Sequence, residues 1–329
     1  MALVIDPNYA ELFKEEDGSP FGTYDSTDLA VFRTAIDANM IAMSQALPEP
    51  EGIQESTYST TSLDGTPLEI FRFVPQSVHD DSKPPSSRLD RALIFAFGGG
   101  MVAGSVQGMH RFITTLAHRS QTQVFAPQYR LAPEHPAPAG IEDVYTTIQW
   151  VQAGAARFDI DPARIVLFGI SAGGGIVASA ALMARDKGLT HPIAGQCLRY
   201  PMLDDRTTME EGDPRERYLT WTPAMNEMGW RCYLGGKRGG EAGAGKGIPA
   251  YAVPARAENL RGLPPAHIGV GSLDLFRDED AAYAAALARA DVGVEFHLYP
   301  GVPHCFEVLP SIKMGGELWD NEVRWIMKF

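Results

Sequence analysis

Residues 169–173 read Gly169-Ile170-Ser171-Ala172-Gly173, between an apolar run at 164–168 and an alanine-rich run at 176–184. This pattern predicts a strand, a sharp turn and a helix. Glycine on both sides allows a strained turn that raises the serine hydroxyl above the end of a sheet. The pattern indicates an acyl-transfer nucleophile at Ser171, although an ordinary tight turn has the same residues.

A serine hydroxyl becomes a nucleophile when a base takes its proton, so a histidine is expected at the end of a later strand. His304 follows the last β-rich run, residues 294–299, and would reach the sheet edge that carries the serine turn. His135 lies in another loop at that edge and is interpreted as bracing its proline-rich loop. His304 is the predicted base.

The base needs a carboxylate that fixes its tautomer and stabilises the imidazolium. Asp274 directly follows the preceding strand, at 266–270. The neighbouring acids Asp278, Glu279 and Asp280 begin a predicted helix, where negative charge is favourable without a catalytic role. Asp274 is therefore the predicted acid.

An ester hydrolase also needs N–H groups that stabilise the oxyanion of the transition state. Gly98 and Gly99 follow the predicted strand at 92–97, and Ala172 follows the serine. These three backbone N–H groups are the predicted oxyanion hole.

The same glycine-rich loop permits a rival interpretation. Gly98, Gly100 and Ala103 match the G-x-G-x-x-A pattern of dinucleotide-binding loops. Such a site requires an acidic residue at the end of the next strand, where this chain has Gln128. The sequence therefore disfavours a nicotinamide or flavin cofactor.

The composition limits the remaining function classes. The chain has 329 residues, of which 45% are hydrophobic, which suits one large α/β domain over residues 1–329. Its three cysteines fit neither a disulfide framework nor a zinc site, so no metal and a reducing, cytoplasmic compartment are expected.

The net charge of −13 disfavours nucleic acid and anionic membranes as partners. The amino terminus lacks a basic region and its apolar run breaks at Asp6-Pro7, so we expect no secretory signal. No apolar run has the length of a membrane span.

Strand and helix signals alternate along most of the chain, which predicts a mostly parallel sheet of about eight strands with helices on both faces. The predicted strands are 54–62, 68–74, 92–97, 122–126, 164–168, 193–200, 266–270 and 294–299. The predicted helices that intervene or follow are 109–120, 139–153, 172–185, 223–234, 278–290 and 315–327.

Two segments break the alternation. Helices are predicted at 8–16 and at 27–47, the second with Thr27 as its cap. More than sixty residues separate Pro201 from the strand at 266, which indicates an insertion. Within it, Trp221, Met225, Met228 and Cys232 form an apolar stripe that packs on the core and could also line a pocket.

Residues 129–139, 195–202 and 273–279 resemble segments of the hormone-sensitive-lipase-like carboxylesterases, and the resemblance covers nearly the whole chain. It implies an α/β-hydrolase fold, with Ser171 as nucleophile, Asp274 as acid and His304 as base. It also implies oxyanion donors at Gly98, Gly99 and Ala172, and a helical cap formed by residues 1–47 and roughly 203–247.

Three residues depart from that family's pattern. Phe97 stands where the family usually has His, and Ile170 and Gln128 stand where it usually has Asp. None of the three is a nucleophile, acid, base or backbone donor, so the triad chemistry is unaffected. We interpret them as one coupled change toward a more apolar support of the oxyanion loop.

The expected activity is hydrolysis of a small to medium ester or lactone, without metal or cofactor. The sequence leaves two alternatives: a non-hydrolytic elimination, cyclisation or acyl transfer at the same serine, and a ligand receptor without catalysis. The residues expected to contact substrate are Phe13, Phe32, Phe97, Trp221 and Met225.

Overall fold

The computed structural model describes residues 3–12, 28–78, 90–236, 247–249 and 251–329. The strands in these residues are β1 Ile53–Thr61, β2 Pro67–Pro75, β3 Asp90–Ala96, β4 Gln123–Pro127, β5 Ile160–Ile170, β6 Gly195–Arg199, β7 Ala266–Gly271 and β8 Val294–Tyr299. They form one sheet in the order β1-β2-β4-β3-β5-β6-β7-β8.

The first two strands run antiparallel to their neighbours, and all later neighbours are parallel. This confirms the predicted mostly parallel sheet. Every residue of β4, β6 and β7 is buried, as expected for strands that are covered on both faces.

The described residues also contain eight α-helices: α1 Pro7–Leu12, α2 Leu29–Ala46, α3 His110–Ser120, α4 Ala139–Ala153, α5 Ala172–Lys187, α6 Pro223–Tyr233, α7 Arg277–Arg289 and α8 Lys313–Ile326. Helices α4 and α5 pack on each other and on the sheet, and α3 and α8 form a second such pair. Among the helices described, none has the length and apolarity that crossing a membrane requires.

Some boundaries differ from the sequence prediction. Strand β5 begins at Ile160, because Asp90 of β3 pairs with it before the apolar run starts. Helix α2 is capped by Asp28, whose side chain accepts hydrogen bonds from the N–H groups of Ala30 and Val31. Thr27, the predicted cap, lies outside the described residues.

The two irregular segments meet near the carboxyl edge of the sheet. Phe32 of α2 and Trp221, just before α6, make an edge-to-face contact with ring centroids 6.2 Å apart. In the predicted apolar stripe, Trp221, Met225 and Met228 are buried and Cys232 is half-buried. The insertion is therefore packed on the core as the stripe predicted.

Candidate active site

Ser171 lies at the sharp turn between β5 and α5 and is 5% exposed. Its backbone has φ 55° and ψ −123°, a conformation that residues with a side chain rarely adopt. Its carbonyl accepts from the N–H groups of Gly174, Gly175 and Met202, and its own N–H donates to the Arg199 carbonyl at 2.9 Å. These bonds hold a strain of about 1–3 kcal/mol at the turn.

Close packing explains the glycines on both sides of this serine. A Cβ at Gly169 would lie 2.3 Å from the Gly173 carbonyl oxygen. A Cβ at Gly173 would lie 2.2 Å from the carbonyl oxygen of Ala96 at the end of β3. Strand β5, helix α5 and strand β3 therefore meet backbone against backbone, and this contact fixes the serine above the sheet edge.

The structure brings Ser171, His304 and Asp274 together, although they are far apart in sequence. His304 Nε2 lies 3.0 Å from Ser171 Oγ, and His304 Nδ1 lies 2.7 Å from Asp274 Oδ2. The other carboxylate oxygen, Asp274 Oδ1, accepts from the Phe276 N–H at 2.9 Å, which fixes the carboxylate. A hydroxyl, an imidazole and a carboxylate in this order can pass a proton away from the serine.

Burial lowers the pKa of His304, but the adjacent Asp274 carboxylate more than offsets this, so the net pKa of the imidazole is raised. Asp274 is 0% exposed, so little water screens its charge. This pairing stabilises the imidazolium that forms when His304 accepts a proton.

A buried polar network that the sequence analysis missed supports the imidazole. The Tyr200 ring packs on the His304 ring with centroids 4.2 Å apart. The Tyr200 hydroxyl donates to the carboxylate of Glu307, which also pairs with Arg199 at 3.1 Å. Arg199 pairs in turn with Glu322 of α8, and both side chains are fully buried. An arginine at the end of a strand that is buried throughout requires such partners, because a buried charge is costly without them.

The predicted oxyanion donors lie beside the serine. A Cβ built on Gly98 would lie 3.3 Å from Ser171 Cβ, so the Gly98 backbone approaches the hydroxyl closely. Gly99 has φ 116°, which favours glycine. Among the described residues, the N–H groups of Gly98, Gly99 and Ala172 donate to no acceptor. They are available to a substrate oxygen.

The three departures from the family pattern form part of the support for this loop. Phe97 is fully buried and stacks on Tyr129, with ring centroids 4.0 Å apart and planes at 15°. The Tyr129 hydroxyl donates to the Phe97 carbonyl at 2.7 Å. The side-chain oxygen of Gln128 accepts from the Val106 N–H at 3.0 Å. Ile170 is buried and lines the cavity that opens at Ser171 and His304.

A mostly apolar cavity opens at Ser171 and His304. Its lining includes Trp221 and Met225, as the sequence predicted. It also includes side chains from α2 and α3 and from the loops beside the base, among them Ile36, Met40, Met43, Leu47, Met109, Phe112 and Val308.

Two predicted pocket residues are corrected. Phe97 does not line the cavity, because it is stacked beneath the loop against Tyr129. Phe32 does not line it either: Phe32 is fully buried behind Trp221, which covers it from the cavity. Phe13 lies outside the described residues.

The other acids and the other loop histidine considered in the sequence lie apart from the contacts of Ser171, His304 and Asp274. Asp278 pairs with Arg277 at 2.7 Å and its side chain is 68% exposed. Glu279 is buried and accepts from the Leu203 N–H at 2.6 Å. His135 is exposed. Gly100, part of the dinucleotide-like pattern, is a glycine because a Cβ would lie 2.4 Å from the Trp221 ring.

Comparison with known proteins places this geometry in a family. A family model described as an alpha/beta hydrolase fold matches residues 93–308. Esterase LipI of Mycobacterium tuberculosis is 33% identical over 276 residues, which make up 82% of this chain and 82% of LipI. Carboxylesterase NlhH of the same organism is 33% identical over 272 residues, or 79% of this chain and 76% of NlhH.

Solved structures agree with these relatives. A bacterial heroin esterase has a TM-score of 0.81 and 30% identity, covering 99% of this chain and 98% of its own. A hyperthermophilic esterase from Pyrobaculum calidifontis has a TM-score of 0.81 and 26% identity, covering 98% of both chains. The chain is therefore a hydrolase that belongs to the hormone-sensitive-lipase-like carboxylesterases of the α/β-hydrolase family.

Proposed function

We propose that this enzyme hydrolyses carboxylic esters through an acyl-enzyme on Ser171, with His304 and Asp274 completing a catalytic triad. The observation that carries the proposal is an unbroken chain of hydrogen-bonding contacts. Ser171 Oγ lies 3.0 Å from His304 Nε2, and His304 Nδ1 lies 2.7 Å from Asp274 Oδ2. The esterase relatives support the same class of reaction.

In the acylation step, His304 Nε2 takes the Ser171 proton while Oγ attacks the carbonyl carbon of the ester. The N–H groups of Gly98, Gly99 and Ala172 stabilise the oxyanion, and one such donor is worth about 3–4 kcal/mol in the transition state. The imidazolium then protonates the leaving alcohol. Water repeats the sequence on the acyl-enzyme, releasing the carboxylic acid and restoring Ser171.

We assign the substrate to small and medium esters or lactones. Helix α2 and the segment around Trp221 cover the cavity and contact each other through Phe32, which supports a cap within the predicted bounds 1–47 and 203–247. The walls that this cap provides are mainly methionine, leucine, isoleucine and tryptophan side chains. An apolar, covered cavity favours uncharged acyl groups of limited length.

Hydrolysis of p-nitrophenyl esters from acetate to decanoate tests the proposal. Ser171→Ala should reduce kcat by about a thousandfold or more, because the nucleophile is removed while the fold is kept. Ser179→Ala is the matched control: it removes a buried hydroxyl from the same helix, α5, and should leave kcat unchanged. Equal activity of wild type and Ser171→Ala would refute the proposal.

Labelling with a serine-reactive phosphonate, followed by mass spectrometry, separates the alternatives. We expect one adduct, on Ser171, and steady turnover of the shorter esters. An initial burst without turnover would instead favour transfer to an acceptor other than water, and the absence of an adduct would favour a receptor.

We also propose a cytoplasmic location for this enzyme. Cys197, Cys232 and Cys305 are free thiols in the structure, which fits the cytoplasmic location expected from the sequence. The partner expected from the mechanism is a small-molecule ester.

A further inference from the structure

His267, Glu295 and His297 form a cluster on the neighbouring strands β7 and β8, outside the catalytic cavity. In the parallel register His267 is paired with Glu295, and Gly269 with His297. Because side chains alternate between faces with a period of two, the three side chains lie on the same face of the sheet. One ligand atom from each lies within 4.8 Å of the other two.

His267 is a buried imidazole with unused bonding capacity. It is 0% exposed, and its Nε2 has no hydrogen-bond partner among the described residues. Its Nδ1 lies 3.8 Å from Cys197 Sγ. Burial lowers the pKa of His267 to about 3, so the ring is neutral at ordinary pH. With its proton on Nδ1, toward Cys197, the ring presents a free lone pair at Nε2.

The other two groups are reachable from solvent. The side chains of His297 and Glu295 are 27% and 25% exposed, and His297 Nε2 lies 2.9 Å from Glu295 Oε1. Arg324 also contacts Oε1, at 2.6 Å, and Lys328 contacts Oε2 at 2.7 Å. Two cationic side chains therefore hold the Glu295 carboxylate in place beside His297.

We propose that His267, Glu295 and His297 bind a divalent transition-metal ion of the Zn²⁺, Co²⁺ or Ni²⁺ class. Two imidazoles and one carboxylate are a ligand set that these ions prefer. With metal–ligand bonds of about 2.0–2.2 Å, the ligand atoms must approach one another to about 3.5 Å. From separations within 4.8 Å this is a small movement for His297 and Glu295, whose side chains are partly exposed. When the ion binds His297 Nε2, the proton of that ring moves to Nδ1, and the ion takes the place of the His297–Glu295 hydrogen bond and of the Arg324 contact with Oε1.

The expected effect of the ion is structural. It links β7 to β8, and these strands lead directly to the loops that carry Asp274 and His304. The metal takes no part in ester hydrolysis, because the cluster does not line the catalytic cavity. The ion therefore adds a cross-link beneath the acid and base loops.

Isothermal titration calorimetry with ZnCl₂ tests the site on protein that was treated with EDTA and dialysed. We expect one ion per chain. Thermal unfolding at a hundredfold excess of free Zn²⁺ over Kd should show a rise in Tm of about 4 °C, from the mass-action stabilisation of a chain of this size.

His297→Phe is the decisive variant, because it keeps a ring beside Tyr299, whose centroid is 6.1 Å away, but removes both ring nitrogens. Zn²⁺ binding and the rise in Tm should both be lost. His118→Gln is the control, since His118 is exposed on α3, and it should bind as wild type does. If His297→Phe does not fold, Glu295→Gln replaces it, with an expected loss of at least tenfold in affinity.

The proposal fails if Zn²⁺ does not bind or if binding survives His297→Phe. If the surviving binding is lost in Cys305→Ser, the ion lies beside His304, the residue that precedes Cys305 in the chain. Loss of the binding in Cys197→Ser would place the ion among Cys197, His267 and Glu322, the other cluster of ligand atoms in the described residues. Neither outcome depends on esterase activity.

Discussion

Arg33 donates through Nε to the carbonyl oxygen of Val102 at 2.6 Å, and this bond joins helix α2 to the loop that follows β3. Asp37, one turn further along α2, accepts from the Gly104 N–H in the same loop at 2.8 Å. That loop begins with the glycines proposed as oxyanion donors. Helix α2 therefore holds the loop that carries the proposed donors, besides covering the cavity.

Arg33→Ala should lower kcat/KM for p-nitrophenyl butyrate by about tenfold, because a hydrogen bond from a charged donor is worth about 1.5–3 kcal/mol and only part of it acts on the donors. The loss should fall mainly on kcat. Glu134→Gln is the control: Glu134 pairs with Arg33, is 55% exposed, and should change kcat/KM less than twofold. Equal losses in both variants would assign the effect to the surface ion pair.

Asp274→Asn should change the pH profile as well as the rate. The base must be neutral, so kcat/KM falls as the pH drops through the pKa of His304. Burial lowers that pKa and the Asp274 carboxylate raises it more. Without this charge, the acidic limb should move to lower pH while the plateau falls by about 10³- to 10⁴-fold.

Asp278→Asn is the control for this pH experiment, since it removes an exposed carboxylate only four residues away and should leave both limb and plateau unchanged. An acidic limb that stays in place in Asp274→Asn would contradict the assigned role of Asp274.

Tyr129→Phe should destabilise the oxyanion loop. It removes the 2.7 Å hydrogen bond to the Phe97 carbonyl but keeps the ring stack. The expected cost is about 1 kcal/mol, or roughly 1–2 °C in Tm, with a several-fold loss of kcat. Tyr233→Phe removes another buried hydroxyl, which has no partner among the described residues, and should not lower Tm. Equal effects of the two variants would refute this role for Tyr129.

Glu279→Gln should alter how stability depends on pH. Burial raises the pKa of Glu279 to about 8. The folded state therefore keeps a proton that the unfolded state loses near pH 4, and the free energy of unfolding falls as pH rises from about 4 to 8. Wild-type Tm should decline relative to Glu279→Gln across this range. Glu317→Gln, at an exposed position, is the control, and its Tm should depend on pH as that of the wild type does. A difference in Tm between wild type and Glu279→Gln that stays constant with pH would contradict the prediction.

The sheet and the positions of Ser171, Asp274 and His304 could be predicted because each residue lies in the turn or loop that follows a strand. In a parallel sheet the ends of such strands meet at one edge, so local patterns were enough to bring the three residues together. The catalytic roles of these residues stay a prediction. The strand pairing confirms the mostly parallel sheet, whereas the order of its strands was not predicted.

The supports of the site could not be predicted in this way. The contact of Arg33 with Val102 spans 69 residues, and that of Tyr200 with Glu307 spans 107. No periodicity or turn pattern encodes such a pair. Phe97 was wrongly placed in the pocket because its position beside the oxyanion loop is visible in the sequence, whereas the direction of its ring depends on Tyr129.

The buried pairs of Arg199 with Glu307 and Glu322 have a consequence for engineering. Glu322 lies on the last helix, α8, and does not line the cavity at Ser171 and His304. Here a change at Glu322 would leave the Arg199 charge with one partner fewer inside the protein, and that charge is linked through Glu307 to the tyrosine beneath the base. A mutant library should therefore hold position 322 fixed together with Ser171, Asp274 and His304.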